Sequence, residues 1–252
     1  MKKSLVFLTD FGTADGFAGV MKGVALSINP DLNLVDLTHE VPSFDILGGA
    51  LILKAHYSYF PKGSVFVCVV DPGVGTDRKP VAVRTENFTF VAPMNGVLDL
   101  VLEEERPLEA VEISNRKYTL KAINNTFHGR DIFTPAAAHL TRGVPLSALG
   151  RRIKYRKLLK FPKVKRFRGG VEGIIVYFDK FGNAITNIPC GRFRRCLYGN
   201  LKGRFVKAFL YGDRDKPNFT CGSFGFVEAF VPTDSFKDRF NARRGDRVRC
   251  YF

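Results

Sequence analysis

The sequence lacks several patterns that would mark a well-known class of protein. No apolar run in its 252 residues is long enough to cross a membrane. The apolar stretch near the N-terminus stops at Asp10, which is too short for the hydrophobic region of a signal peptide. No GxxxxGKS/T phosphate loop is present, and no GxGxxG opens a helix, which argues against a triphosphate or dinucleotide ligand. From the lack of a membrane-spanning run and of a signal peptide, we expect a cytoplasmic protein that makes no contact with a membrane.

Spacings typical of metal sites are also missing. The cysteines are odd in number and scattered, with no CxxC pair, and the histidines form no HxxxH pair. The sequence therefore predicts no metal site. It also predicts that all five cysteines are reduced thiols. These are Cys68, which we expect to be buried in a strand, and Cys190, Cys196, Cys221 and Cys250.

The charge of the chain is unevenly distributed. The net charge is +15, but residues 1–150 carry 14 Lys/Arg against 16 Asp/Glu, whereas residues 151–252 carry 25 against 8. A basic half is typical of contact with nucleic acid or a membrane surface, although an ordinary solvated basic surface gives the same pattern. Ten of these cations fall in residues 151–168, which we interpret as a basic connector between domains.

The first part of the chain alternates strands and helices. Apolar runs predict three strands, at residues 4–9, 34–37 and 64–70. Apolar residues recur at helical spacing between these runs, so the order is β-α-β-α-β. That order predicts a mainly parallel sheet with helices on its faces. We expect this α/β domain to occupy residues 1–150.

The pattern changes after the basic connector. A strand, a glycine turn and a second strand within residues 171–188 predict a β-hairpin. The remainder consists of short strands separated by glycine and proline. We therefore predict an all-β domain at residues 169–252.

Acids and amides recur where the predicted strands end. They are Asp10, Asp71, Asn95 and Asp179. Ligands of open α/β sheets bind beyond the carboxyl ends of the strands. Carboxylates and amides at that edge can hold the ribose hydroxyls and the base edge of a nucleoside. After Asp71 a glycine-rich turn leads to Arg78, which predicts a polar site, although an ordinary turn capped by an Asp–Arg pair fits as well.

His128 is the histidine with the most polar surroundings in the sequence. Gly129, Arg130 and Asp131 follow it at the start of a predicted alanine-rich helix. A lone histidine is commonly structural, but this glycine-bounded polar motif favours a functional role.

Several short motifs resemble one family when they are taken together and in order. They are TDFG at 9–12, VDPGVG at 70–75, APMNG at 92–96, FHGRDIF at 127–133, DKFGN at 179–183, TNI at 186–188 and SFG at 223–225. The chain resembles the S-adenosyl-L-methionine hydroxide adenosyltransferases, which are relatives of the fluorinating and chlorinating enzymes that attack the same substrate. The resemblance covers almost the whole chain, although residues 230–234 depart from the small Asn/Ala-rich stretch that lines adenine in the family.

The resemblance implies a fold, an assembly and a reaction. The fold is an α/β N-terminal domain with a mainly parallel sheet and a β-barrel-like C-terminal domain. The assembly is a homotrimer with each active site between neighbouring subunits. In the reaction, water attacks the ribose 5′ carbon of S-adenosyl-L-methionine and gives adenosine and methionine. S-adenosyl-L-methionine is the substrate of this reaction, so no cofactor is implied. Because the sulfonium leaves as a neutral thioether, the main task is to position the water and ease loss of its proton.

The resemblance also implies roles for particular residues. The catalytic group is Asp71, Arg78 and His128, in which Asp71 orients Arg78 while Arg78 and His128 hold the water and favour its hydroxide character. Asp10 is implied to hold the ribose diol. The other implied substrate contacts are Phe44, Asn95, Phe127 and Gly129, with Asp179 and Ser223 at the methionine end and Phe181 and Asn183 at the adenine.

Two alternatives stay open. The halogenating relatives carry tyrosine at the position of Asp71 and serine at that of Gly129, so the resemblance favours hydroxide over halide as the nucleophile. The other alternative is a non-catalytic nucleoside- or RNA-binding protein that uses the basic C-terminal half. That alternative predicts salt-dependent RNA binding that survives the loss of His128.

Overall fold

Apolar strands that are buried along most of their length form the centre of the first unit. The computed structural model describes residues 2–252, which divide into a unit that ends at Leu159 and a unit that spans Lys160–Phe252. The strands of the first unit are β1 (Ser4–Thr9), β2 (Asn33–Thr38), β3 (Val65–Val69), β4 (Pro80–Arg84), β5 (Thr89–Pro93), β6 (Glu109–Ile113) and β7 (Gly150–Arg152). They form one sheet in the order β2-β1-β3-β5-β4-β6-β7.

The sheet is mainly parallel. β1 pairs in parallel with β2 and β3, and β3 pairs in parallel with β5. β4 runs antiparallel to both β5 and β6, and β7 runs antiparallel to β6. Five of the seven strands found in this unit therefore point the same way. This confirms the predicted α/β fold.

Helices cover both faces of the sheet, as strands that are apolar on both sides require. They are α1 (Phe17–Ile28), α2 (Ile46–His56), α3 (Val101–Glu104) and α4 (Thr134–Thr141). Met21 of α1 and Ala137 of α4 belong to the core on one face, and Leu53 of α2 and Val101 of α3 belong to the core on the other. A π-helical turn at Gly129–Phe133 leads directly into α4.

The second unit is a barrel. Its strands are β8 (Lys165–Phe167), β9 (Gly170–Phe178), β10 (Ala184–Pro189), β11 (Arg195–Tyr198), β12 (Leu201–Phe205), β13 (Asn218–Cys221), β14 (Phe226–Phe230) and β15 (Arg247–Tyr251), with a short helix α5 (Phe236–Arg239). The sheet order is β10-β14-β13-β12-β11-β15-β9-β8, and pairing of β9 with β10 closes a barrel of seven strands. This confirms the barrel-like prediction and the β9–β10 hairpin.

The prediction of five reduced thiols is wrong for two of the cysteines. Cys196 and Cys250 form a disulfide inside the barrel, where both are fully buried. They lie directly opposite each other on the antiparallel strands β11 and β15, with their Cα atoms 4.1 Å apart. The two positions are 54 residues apart in sequence. Their pairing therefore depends on strand register, which the cysteine spacing does not reveal. Cys68 is a free thiol buried in β3, as predicted.

The sheet of the first unit extends past residue 150. β7 adds an edge strand, and the Tyr155 hydroxyl donates to Asp99 Oδ1 at 2.7 Å. Asp99 also accepts from the backbone N–H groups of Leu158 and Leu159. Residues 151–159, which carry part of the basic tract, are thus attached to the α/β unit. Within residues 2–252 no helix combines the length and the apolar character needed to cross a membrane.

Candidate active site

The loop after β3 folds back on itself and brings an arginine to an acid. Val74 N–H donates to Asp71 O at 3.2 Å, which starts the turn. Gly75 has a φ of 80°, and a Cβ at this position would lie 2.6 Å from the carbonyl oxygen of Asn125. Only glycine combines that backbone angle with so close an approach. The loop therefore has the tight geometry that returns Arg78 to the end of the strand.

Asp71, Arg78 and His128 form a continuous chain of polar contacts. Arg78 Nε lies 2.9 and 2.8 Å from the two carboxylate oxygens of Asp71, and Arg78 Nη2 lies 2.6 Å from His128 Nδ1. The side chains of Asp71 and Arg78 are only 4% and 9% exposed. Buried charge-assisted contacts of this kind fix side-chain positions. The structure thus brings together the three residues that the sequence analysis grouped.

His128 is held in its neutral form. Burial lowers the pKa of this imidazole, and the positive charge of Arg78 lowers it further. Arginine has no acceptor, so its N–H donates to His128 Nδ1 and the remaining ring proton lies on Nε2. Arg78 also lies over the ring of Phe133, with 5.2 Å between the guanidinium carbon and the ring centre. Together these contacts set the tautomer of the ring and the position of the guanidinium group.

A cavity of about 290 Å³ opens beside Asp71 in the α/β unit. Its lining residues are Asp10, Phe11, Phe17, Ser43, Phe44, Asp71, Val74, Thr126 and Phe127. Asp10 Oδ2 accepts from the backbone N–H of Phe44 at 2.8 Å, and Phe44 has the unusual φ of 66°. Burial raises the pKa of the Asp10 carboxyl, and the nearby charge of Asp71 adds to this. Two acids therefore share one small cavity.

Three phenylalanine rings form the apolar side of this cavity. The ring centres of Phe11 and Phe17 lie 5.6 and 5.0 Å from that of Phe127, with both pairs edge-on. A Cβ added at Gly129 would lie 3.1 Å from the Phe11 ring, 3.2 Å from the Phe127 ring and 3.3 Å from Met21 Sδ. The glycine therefore leaves space for the aromatic cluster. Phe127 and Gly129 are predicted site residues, whereas Phe11 and Phe17 were not predicted to belong to the site.

Four predicted residues of this unit, Arg78, Asn95, His128 and Gly129, are not among those that line the cavity. Asn95 Nδ2 donates to Val70 O at 2.7 Å, and Asn95 Oδ1 accepts from the N–H of Val97. Asn95 thus fixes the end of β3 just before Asp71. His128 lines a different cavity of about 350 Å³, together with Arg116 and other residues of the neighbouring loops. The polar chain accordingly runs from the first cavity at Asp71 to the second at His128.

The barrel unit holds a second group of predicted residues in the β9–β10 turn. Asp179 Oδ1 accepts from the N–H groups of Phe181 and Asn183 at 2.9 Å, and Asp179 Oδ2 accepts from Asn183 Nδ2 at 2.9 Å. Gly182 has a φ of 81°, and a Cβ there would lie 2.1 Å from Ser235 Oγ. The turn is therefore held by its own carboxylate and pressed against the loop after β14.

A cavity of about 570 Å³ lies beside this turn. Its lining residues are Phe181, Asn183, Phe209 and residues 231–235. Phe181 is 74% exposed, so its ring is free to contact a ligand or another chain. Ser223 is exposed in the turn between β13 and β14 and is not among the lining residues.

The barrel contains an unusual acid that was not among the predicted site residues. Glu228 lies in β14 and is buried, in a strand whose other residues are apolar. Burial raises the pKa of Glu228 to about 7, and the charge of Asp179 contributes to the rise. A single acid inside the apolar run FVEAF was the sequence signal that could have found it.

The described residues offer no metal centre. Nowhere in residues 2–252 do three or more His, Cys, Asp or Glu side chains gather in a way that could hold a metal ion.

Comparison with known proteins decides the family. Two family models match the chain, the SAM hydroxide adenosyltransferase N-terminal domain over residues 5–150 and the corresponding C-terminal domain over residues 173–249. The chain belongs to the SAM hydroxide adenosyltransferase family. This confirms the resemblance that the motifs indicated.

Similarity to individual proteins extends over 73–98% of the chain. The (R)-S-adenosyl-L-methionine hydrolase of Thermus thermophilus is 34% identical over 98% of this chain and 99% of the relative. A fluorinase of an Actinoplanes species is 32% identical over 73% of this chain and 71% of the relative. A crystal structure of an uncharacterized conserved protein from Thermotoga maritima is similar with a TM-score of 0.91 and 37% identity. That similarity covers 98% of this chain and 100% of the other.

Proposed function

We propose that the protein hydrolyses S-adenosyl-L-methionine to adenosine and L-methionine. The observation that carries the proposal is the buried contact chain Asp71–Arg78–His128 at the carboxyl end of β3. The name of the hydrolase relatives, which match the chain along its length, supports the same reaction. The fluorinase relatives are 28–32% identical to the chain, whereas the hydrolase relatives are 31–38% identical.

The departure of the leaving group needs little assistance from the protein. A water oxygen forms a bond to the ribose 5′ carbon while the bond from that carbon to the sulfonium breaks. The electron pair of the broken bond goes to sulfur, which leaves as the neutral thioether of methionine, and the proton of the water is released to solvent. Rate acceleration must then come from orienting the water and stabilising its growing hydroxide character.

The polar chain suits this task. Asp71 fixes the guanidinium of Arg78 through two oxygens, so the positive charge of Arg78 is already in place when negative charge grows on the water. His128 is neutral and carries its ring proton on Nε2, so it donates a hydrogen bond to the water. Since an arginine charge in a buried site is poorly screened, it makes the larger contribution of the two.

Asp10 and the phenylalanine cluster suit the nucleoside. We propose that the carboxylate of Asp10 accepts from the two ribose hydroxyls, since it lies in the same cavity as Asp71. Phe44 and Phe127, with Phe11 and Phe17, supply apolar contacts around the sugar and the base. Gly129 serves the site by leaving room for those rings, and Asn95 by fixing the end of β3.

The barrel supplies the other contacts in this proposal. Asp179 offers a carboxylate to the ammonium group of the methionine moiety, and Ser223 offers a hydroxyl to its carboxylate. Asn183 contacts the adenine, and the exposed ring of Phe181 stacks against it. The 570 Å³ cavity between Phe181 and residues 231–235 is large enough for the base.

We propose that these two sets of residues meet between subunits of a homotrimer. Large apolar side chains are exposed on both units, including Phe44 on the first and Phe181, Leu210 and Tyr211 on the barrel, where Leu210 is 87% exposed. Exposed apolar groups beside a cavity are typical of interaction surfaces. Light scattering should then give three times the chain mass. Mixing an Arg78→Ala variant with an Asp179→Ala variant should restore part of the activity that each lacks alone.

Chromatography tests the reaction. The purified protein is incubated with S-adenosyl-L-methionine, with and without chloride, beside an otherwise identical His128→Ala sample. Adenosine and methionine in equal amounts, independent of chloride and strongly reduced in the variant, are the expected result. A 5′-halogenated adenosine would indicate a halogenase instead, and the absence of any product would contradict an enzymatic role.

A further inference from the structure

The outer surface of the barrel carries two rows of aligned side chains. In the first row Arg204, Arg195, Tyr251, Gly170 and Phe167 lie directly opposite one another across β12, β11, β15, β9 and β8. In the second row the order across the same strands is Lys202, Leu197, Arg249, Glu172 and Lys165. Residues that are opposite in a ladder share a face of the sheet.

Both rows point outward. The row between them contains Cys196, Cys250 and Val171, which are buried in the barrel core. Because side chains alternate along a strand, the rows on either side must face away from that core. Arg195 and Lys202 are correspondingly exposed. We call this surface of β8, β9, β11, β12 and β15 the basic face.

The two rows of the basic face contain five cations and one acid, and Asp213 and Asp215 line a cavity beside Lys202 and Arg204. Glu172 is the one acid in the two rows, and Arg249 engages it with Nε 2.6 Å from Oε2. Among the described residues, Arg195, Lys202 and Arg204 form no ion pair. Arg195 and Arg204 lie directly opposite each other, and like charges in that position destabilise a sheet. Unpaired cations that face each other in this way are typical of a surface that binds an anionic partner.

Aromatic rings are interleaved with these cations. The guanidinium of Arg195 lies over the Tyr251 ring, 4.9 Å from its centre, and the Phe167 ring lies 5.5 Å from that of Tyr251. Gly170 separates the two rings in the row, and a Cβ there would lie 2.6 Å from Phe167 Cζ. The missing side chain of the glycine is what lets Phe167 approach Tyr251. The result is a continuous strip of planar groups within a cationic surface.

We propose that the basic face binds single-stranded nucleic acid. Its cations suit the phosphates, and its planar groups, of which Phe167 is 38% exposed, suit unpaired bases, which stack on such groups regardless of sequence. Five neighbouring strands span about 19 Å, which is room for a few nucleotides. A membrane surface or an acidic protein would use the charge but would have no need of the strip of planar rings. The inference stands independently of the hydrolase activity, since no residue of the basic face belongs to the proposed active site.

Fluorescence anisotropy with a labelled oligouridine of twenty nucleotides tests whether the cations of the basic face bind the phosphates. The triple variant Arg195→Gln, Lys202→Gln and Arg204→Gln should bind at least tenfold more weakly at low salt. Its slope of log affinity against log salt should fall by about 2, because each phosphate contact contributes about 0.7 for single strands. The control triple Lys62→Gln, Arg106→Gln and Lys121→Gln removes equal charge from exposed sites of the α/β unit and should retain wild-type binding. Turnover of S-adenosyl-L-methionine should be unchanged in both.

A second variant tests the aromatic strip. Phe167→Leu should weaken binding of oligouridine by about tenfold without changing the salt slope, since base stacking on an aromatic side chain contributes about 1–3 kcal/mol. Binding of an abasic oligonucleotide of equal length should be unaffected by this change, and weaker than that of oligouridine for the wild type.

Three outcomes would overturn the proposal. Equal losses in the two triple variants would mean that net charge alone attracts the oligonucleotide. Equal binding of oligouridine and the abasic chain would mean that the bases make no contact. If light scattering shows that the first triple changes the oligomeric state and wild-type protein binds no oligouridine, the basic face is an interface with another copy of this chain.

Discussion

The two units of the chain use their polar site residues in different ways. In the α/β unit, Asp71, Arg78 and His128 contact one another and leave little of themselves exposed. In the barrel, Asp179 binds the backbone and the side chain of its own turn. The first arrangement suits the proposed chemical step, and the second lies at the edge of a cavity. Under the proposed function, the α/β unit carries the reacting groups and the ribose site, and the barrel carries the contacts to the methionine moiety and the adenine.

The units also differ in how they balance charge. In the α/β unit, surface cations such as Lys22, Lys54 and Lys79 have acid partners. In the barrel, residues 160–252 carry 20 Lys/Arg against 8 Asp/Glu, and the cations of the basic face are mostly unpaired. We attribute this excess to the proposed binding of nucleic acid at the basic face.

The largest expected effect comes from the polar chain of the α/β unit. Arg78→Ala should lower kcat by about 10³-fold, because it removes the fixed charge beside the reacting water. Lys79→Gln, one residue further on, removes a charge paired with Glu112 on the surface and should change kcat by less than about threefold. Steady-state assays of the two proteins give the comparison. A fall of less than tenfold for Arg78→Ala would mean that the chain is structural.

Substitution of Asp179 in the barrel should affect substrate binding instead of the chemical step. Asp179→Asn should raise KM by about tenfold or more while kcat changes only a few-fold, because it removes contacts made equally in ground and transition states. The change keeps the shape of the turn and one oxygen acceptor. Steady-state kinetics over a wide range of substrate concentration measure both parameters. A large loss of kcat at saturation would break the division of labour between the units.

A smaller effect is expected for the glycine beside the phenylalanine cluster. Gly129→Ala places a methyl group 3.1–3.3 Å from Phe11, Phe127 and Met21 and should cost about 1–2 kcal/mol of unfolding free energy. Gly19→Ala, in helix α1 with open space around it, should instead be neutral or stabilising by about 0.5 kcal/mol. Urea unfolding of both variants provides the measurement. Equal stability of the two would show that the cluster adapts freely to the added methyl.

An effect of similar size, seen only as a pH dependence, concerns the buried acid of the barrel. Folding raises the pKa of Glu228 to about 7, so the folded protein holds a proton that the unfolded chain releases near pH 4.5. The free energy of unfolding should therefore fall as the pH rises from about 4.5 to 7. Glu228→Gln, which mimics the protonated form, should reduce this fall by about 1–2 kcal/mol. Thermal melting of both proteins at pH 5 and pH 8 measures how stability depends on pH. An unchanged pH dependence in the variant would contradict the raised pKa of Glu228.

The sequence was most informative where structure depends on neighbouring residues. The apolar run before Asp71 and the turn that follows are local signals, and both predicted the loop correctly. The grouping of Arg78 with His128, 50 residues apart, came from the family motifs and not from the physics of the sequence.

Features that depend on strand register could not be predicted in this way. The partner of Cys196 is known only once β11 and β15 are aligned, and the same alignment brings Arg195 to Tyr251. The burial of Glu228 likewise depends on which face of β14 lies inside the barrel. A shift of one residue would exchange the two faces, so a single sequence leaves these features open.

Isotope transfer tests the central claim most directly. The wild-type protein would be incubated with S-adenosyl-L-methionine in ¹⁸O-water containing chloride, and the products analysed by mass spectrometry. Attack by water on the 5′ carbon predicts one ¹⁸O in each adenosine and none in methionine, at a rate that falls strongly in Arg78→Ala. Unlabelled adenosine, or a 5′-chlorinated product, would contradict the account, because the oxygen or the nucleophile would then have come from elsewhere.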